Sequence, residues 1–420
     1  NADLKLTAKS KWMHAELTPP HTTPRDALGT PDDLVRHKNV GVMVDIGDGK
    51  TMSYLSTGEM VQVGKAWKLA DGPTAGTVAG GTDEGGGADA SPVPDEIRAV
   101  ILKIGELKLD PAKPYEYHLQ RAQLLEECVT GTKGAQQMPW LKQMVDAYAA
   151  AVESSPEPQK VYDRFTAWKD SILKGGASET KAYTAFRHAA AEFAVKRKEA
   201  GTDNKKIAAV QEWRKDTLEK FVKEFADSTD APEAVMQLAV EAEYAPKDGE
   251  AAAKAWYEKL MKDYAGHPYA AKAAGAIKRL GCEGKPFELS GETIDGKAFS
   301  EKAIVGKPAV VLFWASWGSQ TADDLASLAK LEKEFAGKGL QIVTVNLDDD
   351  KAAGEKAVRA AGLTGHHLYA AGGLDRSPLA NAYGIHMIPH LFLIDKAGKV
   401  VSRNAQPGPG LKDEVEKLVK

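Results

Sequence analysis

The chain has 420 residues, of which 43% are hydrophobic and 27% are charged, and its formal net charge is -4. This length exceeds what one hydrophobic core usually serves, so we expect two or three domains of ordinary globular composition. The balanced charge gives no support to a nucleic-acid-coating role, no apolar run reaches the roughly 18–20 residues that span a bilayer, and the only two cysteines exclude a disulfide scaffold or a four-cysteine metal centre.

Residues 1–72 have the pattern of a small β-rich module. Apolar, alternating runs at 40–46, 51–56, 60–63 and 66–69 are separated by turn sequences at 47–50 and 57–59. An Asp-Gly pair between apolar runs, as at Asp48-Gly49, is a strong hairpin signal. Residues 73–93 follow as a glycine-rich linker with no apolar periodicity, which we expect to be flexible.

Residues 94–282 show helical periodicity. Leu218, Phe221, Val222 and Phe225 form one stripe at the i, i+3, i+4, i+7 spacing. We expect seven to nine antiparallel helices with short connections. Helix starts near Pro232 and His267-Pro268 lie about one tetratricopeptide period (~34 residues) apart, so a tetratricopeptide-like repeat and a simple helical bundle both remain open.

Residues 283–420 change character. A continuous apolar run at 308–314 predicts a strand covered on both faces, and further strands are predicted at 340–346, 390–395 and 400–402. Helices are predicted at 321–336, at 351–361 and from Leu411 to the end. This order is that of an α/β sandwich. The predicted fold class is therefore multidomain α plus α/β, with a β-rich N-terminal module.

Several motifs in this last third, in order, resemble those of the thioredoxin-like redoxins of the TlpA/ResA type. They are Gly306-Lys307-Pro308, Phe313-Trp314-Ala315-Ser316-Trp317, Ile388-Pro389 and Phe392-Leu393-Ile394-Asp395. The resemblance implies a thioredoxin-like fold and a family of typically extracytoplasmic thiol–disulfide proteins. Because the sequence also begins at Asn1 without an initiator methionine, we expect an exported, periplasmic or cell-envelope protein.

In that family a Cys-x-x-Cys pair follows the Phe-Trp strand at a helix start, where the helix dipole lowers the pKa of the attacking thiol. The matching positions here are Gly318, Ser319, Gln320 and Thr321. Neither sulfur is present, and the peroxidase chemistry of related families also requires a cysteine at this position. The sequence therefore predicts a degenerate redox motif with no catalytic residue.

The resemblance implies that Ile388-Pro389 is the family's cis-proline, beside which a substrate peptide pairs as an added strand. Such binding requires no sulfur. The predicted peptide-binding cleft comprises Trp314, Trp317, Ile388, Pro389 and His390. A cleft that is vestigial or filled by the N-terminal domains is the open alternative.

Other side chains with chemistry are interpreted more simply. Cys128 and Cys282 either form a disulfide or are two buried free thiols, and both alternatives stay open. His366, His367, His386 and His390 allow a histidine-only zinc or copper site, but structural roles are favoured, so no metal and no cofactor are predicted. The run Asp348-Asp349-Asp350 is interpreted as solvated charge at a helix start.

The predicted function is that of a redox-inactive protein- or peptide-binding or assembly module in an extracytoplasmic compartment, with a protein or peptide as its partner. The alternative is a thiol–disulfide oxidoreductase or peroxidase of the redoxin family, working through Cys128 and Cys282 or a partner's cysteines. A structural envelope component is a third interpretation. Neither nucleic acid nor a transmembrane segment is expected, and the sequence does not predict the oligomeric state.

Overall fold

The structure, a computed structural model, describes residues 10–16, 21–23, 34–37, 41–45, 52–56, 60–63, 66–69, 74–75, 95–134, 137–245 and 249–420. The predicted turns at 47–50 and 57–59, and residues 76–93 of the predicted linker, lie outside the described residues. The chain forms two compact units, Asn1–Ala231 and Pro232–Lys420.

The first unit begins with two antiparallel sheets of four strands each, counted over the described residues. Their orders are β1-β4-β5-β8 and β2-β3-β6-β7. The strands are β1 (Lys11–Glu16), β2 (His21–Thr23), β3 (Leu34–His37), β4 (Gly41–Asp45), β5 (Met52–Ser56), β6 (Met60–Val63), β7 (Ala66–Leu69) and β8 (Thr74–Ala75). The four apolar runs of the sequence correspond to β4–β7, whereas β8 lies within the predicted linker.

Six helices complete the described part of the first unit. They are α1 (Asp95–Glu106), α2 (Pro114–Gly131), α3 (Gln137–Ser154), α4 (Pro158–Gly175), α5 (Ser178–Ala200) and α6 (Asn204–Glu224). Proline opens α2 and α4, where its missing N–H costs nothing. The Asp203 side chain caps α6 by accepting from the N–H groups of Lys205 and Lys206. The apolar stripes of α1–α5 bury a common core around Met144, Tyr148 and Phe165.

The second unit contains three further helices, α7 (Ala231–Glu243), α8 (Gly249–Asp263) and α9 (Pro268–Leu280). They belong to the same compact unit as the C-terminal sheet, which begins after them. The nine helices α1–α9 of the described residues confirm the predicted helical middle region.

A five-stranded mixed sheet forms the centre of the second unit, in the order β13-β12-β11-β14-β15. Its strands are β11 (Ala309–Trp314), β12 (Gln341–Asn346), β13 (His366–Tyr369), β14 (His390–Ile394) and β15 (Val400–Ala405). β11 runs parallel to β12 and antiparallel to β14. A short hairpin, β9 (Ser290–Glu292) and β10 (Ala298–Ser300), precedes the sheet. The predicted α/β fold of this region is confirmed.

Both faces of the sheet are covered, as the continuous apolar run of β11 predicts. Val310, Leu312 and Trp314 face one core, and Val311 and Phe313 face the other. This alternation follows from the two-residue period of a strand. Five helices follow β11 in the chain: α10 (Thr321–Phe335), α11 (Lys351–Ala361), α12 (Gly373–Arg376), α13 (Pro378–Ala382) and α14 (Pro409–Leu418).

Candidate functional site

Two loops leave the sheet at the carboxyl end of β11. The first, residues 315–320, leads from β11 into α10, and the second, residues 383–389, leads from α13 into β14. Phe313 of β11 lies opposite His390 of β14 in the antiparallel ladder. This pair lies at the carboxyl end of β11 and the start of β14, so the two loops adjoin. The Ile388–Pro389 peptide bond in the second loop is cis.

Thr321 closes the first loop. The N–H of Gly318 donates to the C=O of Ala315, and the N–H of Thr321 donates to the C=O of Gly318, each over 3.1 Å. The buried Thr321 hydroxyl donates to the same Ala315 carbonyl over 2.7 Å. A Cβ atom added at Gly318 would lie 2.6 Å from the Thr321 hydroxyl oxygen. Thr321 therefore occupies space that a side chain at position 318 requires.

The helix start holds no group suited to disulfide chemistry. The Thr321 hydroxyl is buried and bonded, while Ser319 and Gln320 are exposed. The helix N-terminus would stabilise a thiolate, but the two thiols of the chain lie elsewhere, Cys128 within α2 and Cys282 just after α9. The four residues 318–321 at the helix start therefore carry no thiol.

Apolar side chains are exposed on both loops. Trp317 is 62% exposed on the first loop and Met387 is 52% exposed on the second. Next to Met387, Pro389 is exposed, and Ile388 is half-buried against the sheet core. We call Trp317, Met387, Ile388 and Pro389 the cis-proline cleft. The sequence prediction missed Met387, although its place directly before Ile388-Pro389 could have indicated it.

Trp314 and His390, also predicted to line the cleft, are buried instead. Trp314 is 1% exposed and packs in the core formed with Leu325 and Leu328 of α10. His390 is 6% exposed, and its ring centroid lies 5.0 Å from that of Phe392. Both residues lie in strands whose two faces are covered. The prediction is corrected accordingly: these two side chains belong to the buried interior and do not line the exposed cleft.

A buried carboxylate braces the first loop. Asp348 is 3% exposed and accepts from the Ser316 N–H at 2.9 and 3.0 Å and from the Ser316 hydroxyl at 2.9 Å. The Asn346 side chain donates to the same carboxylate over 2.7 Å. The sequence interpretation as solvated helix-start charge therefore fails for Asp348, whereas Asp350 does cap α11 by accepting from the N–H of Ala352.

The second loop is held from behind by a buried ion pair. Glu243 of α7 and Arg279 of α9 pair with side chains only 7% and 4% exposed. Arg279 Nη2 donates to Glu243 Oε2 over 2.9 Å. The same guanidinium reaches the loop, since Nε donates to the Tyr383 C=O over 2.9 Å and Nη2 donates to the Gly384 C=O over 3.3 Å.

Tyr257 extends this network to a histidine of the same loop. Its hydroxyl donates to Glu243 Oε2 over 3.0 Å and lies 3.0 Å from His386 Nε2. The two rings stack with centroids 5.8 Å apart. Burial, with Lys272 and Arg279 nearby, lowers the pKa of His386 to about 2. His386 is therefore neutral near pH 7, and its Nε2–H can donate to the Tyr257 oxygen.

Burial also sets the state of His390 and of the two thiols. It lowers the pKa of His390 to about 3, with a smaller contribution from Arg279. It raises the pKa of Cys128 to about 12 and also raises that of Cys282. Both cysteines are buried and free within their own units. Neither is a ready nucleophile.

The other two histidines considered as metal ligands, His366 and His367, lie away from the cleft. His366 and His367 line a cavity of about 810 Å³ together with the starts of β12 and β10. The His367 Nδ1 atom lies 2.9 Å from the Thr344 hydroxyl. Over the described ranges, no group of three or more His, Cys, Asp or Glu side chains is placed to hold a metal ion.

A central strand leading into a helix start, a mixed five-stranded sheet covered on both faces, and a cis-proline loop beside that helix define a thioredoxin-like domain. Residues 280–403 match the model of the AhpC/TSA family and form a thioredoxin-like domain of that family.

Several similar proteins carry the name thiol-disulfide oxidoreductase. The chain is 27% identical over 142 residues to the thiol-disulfide oxidoreductase ResA of Bacillus thuringiensis strain Al Hakam, covering 34% of this chain and 78% of that protein. It is 32% identical over 122 residues to ResA of Geobacillus thermodenitrificans, covering 29% of this chain and 66% of the relative. A solved thiol-disulfide oxidoreductase of Bacteroides fragilis is 27% identical, covers 31% of this chain and 97% of its own, and has a TM-score of 0.29.

Proposed function

We propose that this protein is a redox-inactive redoxin that binds an extended polypeptide segment of a partner protein at the cis-proline cleft. The observation that carries the proposal is the helix start, where the bonded Thr321 hydroxyl takes the space beside Gly318 and no sulfur is present. The chemistry of the related oxidoreductases depends on a thiolate. Binding through backbone and apolar contacts does not.

The backbone of Ile388 supports strand addition. Among the described residues, none forms a hydrogen bond with the N–H or C=O of Ile388, which comes just before the cis bond. An extended peptide satisfies such groups by pairing as an added strand. Main-chain bonds of this kind contribute affinity without selecting a sequence, so the cleft is suited to unfolded or extended segments.

The exposed side chains of the cleft supply apolar contacts. Trp317 and Met387 are among the most exposed large apolar residues of the described chain. Tryptophan is enriched among residues that dominate binding energy, and methionine adapts its shape to varied partners. We therefore infer a partner segment with large apolar side chains on either side of its paired backbone.

A thiol–disulfide oxidoreductase is the second candidate, because the similar proteins carry that name. For this chain it requires catalysis by Cys128 or Cys282, both buried with raised thiol pKa values, or by cysteines of a partner. An insulin-reduction assay with dithiothreitol discriminates the two. We expect turnover no faster than the uncatalysed rate, and clear acceleration would defeat the redox-inactive proposal.

We also propose that the protein acts outside the cytoplasm, on the basis of its resemblance to TlpA/ResA-type redoxins. No helix in the described parts of the chain is long and apolar enough to cross a bilayer. Fractionation of the native source, followed by immunoblotting, tests the location. Recovery in the cytoplasmic fraction alone would contradict export.

Peptide binding is tested by fluorescence anisotropy with a labelled, reduced and carbamidomethylated insulin B chain, an unfolded polypeptide without free thiols. We expect saturable binding by the full chain, and at least tenfold weaker binding by Trp317→Ala, the loss typical of a central aromatic contact.

Val305→Ala is the matched control, since Val305 is 57% exposed in the same domain but precedes β11 at the opposite end of the strand. It should bind like the wild type. Absence of saturable binding by the wild type, or equal loss in both variants, would contradict the assignment of the cleft.

A further inference from the structure

Helix α9 contacts the loop of the cis-proline cleft through its backbone. A Cβ atom added at Gly275 of α9 would lie 1.8 Å from the Asn381 carbonyl oxygen and 2.5 Å from the Gly384 nitrogen. Gly384 has a φ of +55°, and a Cβ there would lie 2.2 Å from the Ala276 nitrogen. Glycine is required on both sides because the two backbones touch. The start of the loop is thus seated directly on α9.

The side chains around this contact hold the next residues of the loop. Arg279 donates to the carbonyls of Tyr383 and Gly384, and Tyr257 lies within hydrogen-bond distance of His386. Glu243 joins the two by accepting from both Arg279 and Tyr257. The network therefore fixes residues 383, 384 and 386, directly before Met387 and Ile388 of the cleft.

We propose that Arg279 and Tyr257 are positioning residues for the peptide-binding loop, so that partner affinity depends on helices that lie behind the cleft. This inference rests on the proposed function. A loop held in its binding conformation loses less entropy when a peptide pairs with it, so the peptide binds more tightly. The helices α7–α9 are then part of the binding machinery, although they contribute no residue to the cleft surface.

Tyr257→Phe is the sharpest test, because it keeps the ring stacked on His386 and removes only the hydroxyl. We expect threefold to tenfold weaker binding of the labelled, thiol-blocked insulin B chain, the range of one or two hydrogen bonds. Tyr244→Phe is the matched control: Tyr244 directly follows Glu243 but is 47% exposed. It should leave the affinity unchanged.

Hydrogen–deuterium exchange of the free protein supplies a readout that does not depend on binding. In Tyr257→Phe, the amides of residues 384–388 should exchange faster while those of β11 keep their protection. Arg279→Lys keeps the charge opposite Glu243 but loses the fork that reaches two carbonyls, so it should raise exchange in the same residues and weaken binding at least as much.

The outcomes separate the two claims. If the wild type binds the probe and Tyr257→Phe binds equally with unchanged exchange at 384–388, the positioning role is overturned and the proposed function stands. If exchange rises at 384–388 but the wild type itself does not bind, the loop is positioned as inferred and the proposed function fails. A general loss of protection across β11 in Tyr257→Phe would show a purely structural role and would also overturn the inference.

Discussion

Two neutral histidines, the half-buried His386 and the buried His390, make the C-terminal unit sensitive to acid. The pKa of His386 is lowered to about 2 and that of His390 to about 3, chiefly by burial, from an ordinary value of 6.5. In the unfolded chain both rings take up a proton near pH 6.5, whereas in the folded unit both stay neutral. The stability that depends on their neutrality is complete above pH 6.5 and is lost as the pH falls towards the folded-state pKa values.

The loss at pH 5 follows directly. Each histidine lowers the free energy of unfolding by about 1.4 kcal/mol per pH unit below 6.5. At pH 5 the loss is therefore about 2 kcal/mol for each histidine and about 4 kcal/mol for the two together. Since both folded-state pKa values lie well below 5, this figure depends almost entirely on the unfolded value. It is a large share of the 5–15 kcal/mol (roughly) by which domains are stable.

The variant His390→Leu isolates one of these contributions. In the wild type, the Nε2 atom of His390 is buried without a hydrogen-bond partner in the described structure. Leucine therefore removes an unsatisfied polar atom as well as the titrating imidazole. The free energy of unfolding is measured in urea from pH 7.5 to pH 5, by pulse proteolysis read at peptides of residues 309–346. We expect the advantage of the variant over the wild type to grow by about 2 kcal/mol over this interval.

Phe392→Leu, a neighbouring core change without a titrating group, should show a difference from the wild type that does not vary with pH. A His390→Leu difference that is equally constant would refute the reasoning, because it would mean that His390 takes up its proton in the folded state.

Gly318→Cys should destabilise the protein by about 1–3 kcal/mol, because the added Cβ meets the Thr321 hydroxyl. In a double-mutant cycle, Thr321→Ala should recover part of that loss. Strict additivity of the two changes in stability would contradict the contact. Gly275→Ala should lower the free energy of unfolding by more than about 2 kcal/mol. Gly266→Ala is the control and should lower it far less, because a Cβ there meets nothing within 4 Å. Equal melting temperatures of the two variants would refute the backbone contact. The Cys128 thiol, with its pKa raised to about 12, should resist iodoacetamide at pH 8 until urea is added, as read by mass spectrometry; rapid native labelling would contradict its burial.

The central strands and main helices of the C-terminal unit could be predicted because their patterns are local. The apolar run before Trp314 predicts β11, and the α11 bounds, Lys351–Ala361, agree with the periodicity. β13 was not predicted, because His366-His367 does not have the apolar pattern of a buried strand, and the hairpin of β9 and β10 has strands of only three residues.

The candidate site was harder to predict because burial depends on tertiary packing. The motif positions identified Trp317 and Pro389. Trp314, in contrast, ends the apolar run predicted as a strand covered on both faces, and in such a strand every side chain is buried. The role of Arg279 was missed entirely. It lies on a helix that looked like part of a repeat, and its partners Glu243 and Tyr383 are distant in sequence.

The central claim is that a redoxin cleft without a thiol binds polypeptide. Its most direct test is the Cys128→Ala/Cys282→Ala variant, which has no thiol anywhere in the chain. With folding checked by circular dichroism, its affinity for the thiol-blocked insulin B chain is measured by anisotropy beside that of the wild type. We expect the two dissociation constants to agree within about twofold, since none of the four cleft residues carries a thiol. Loss of binding in the cysteine-free chain would contradict the account, because it would show that the function depends on the chain's own thiols.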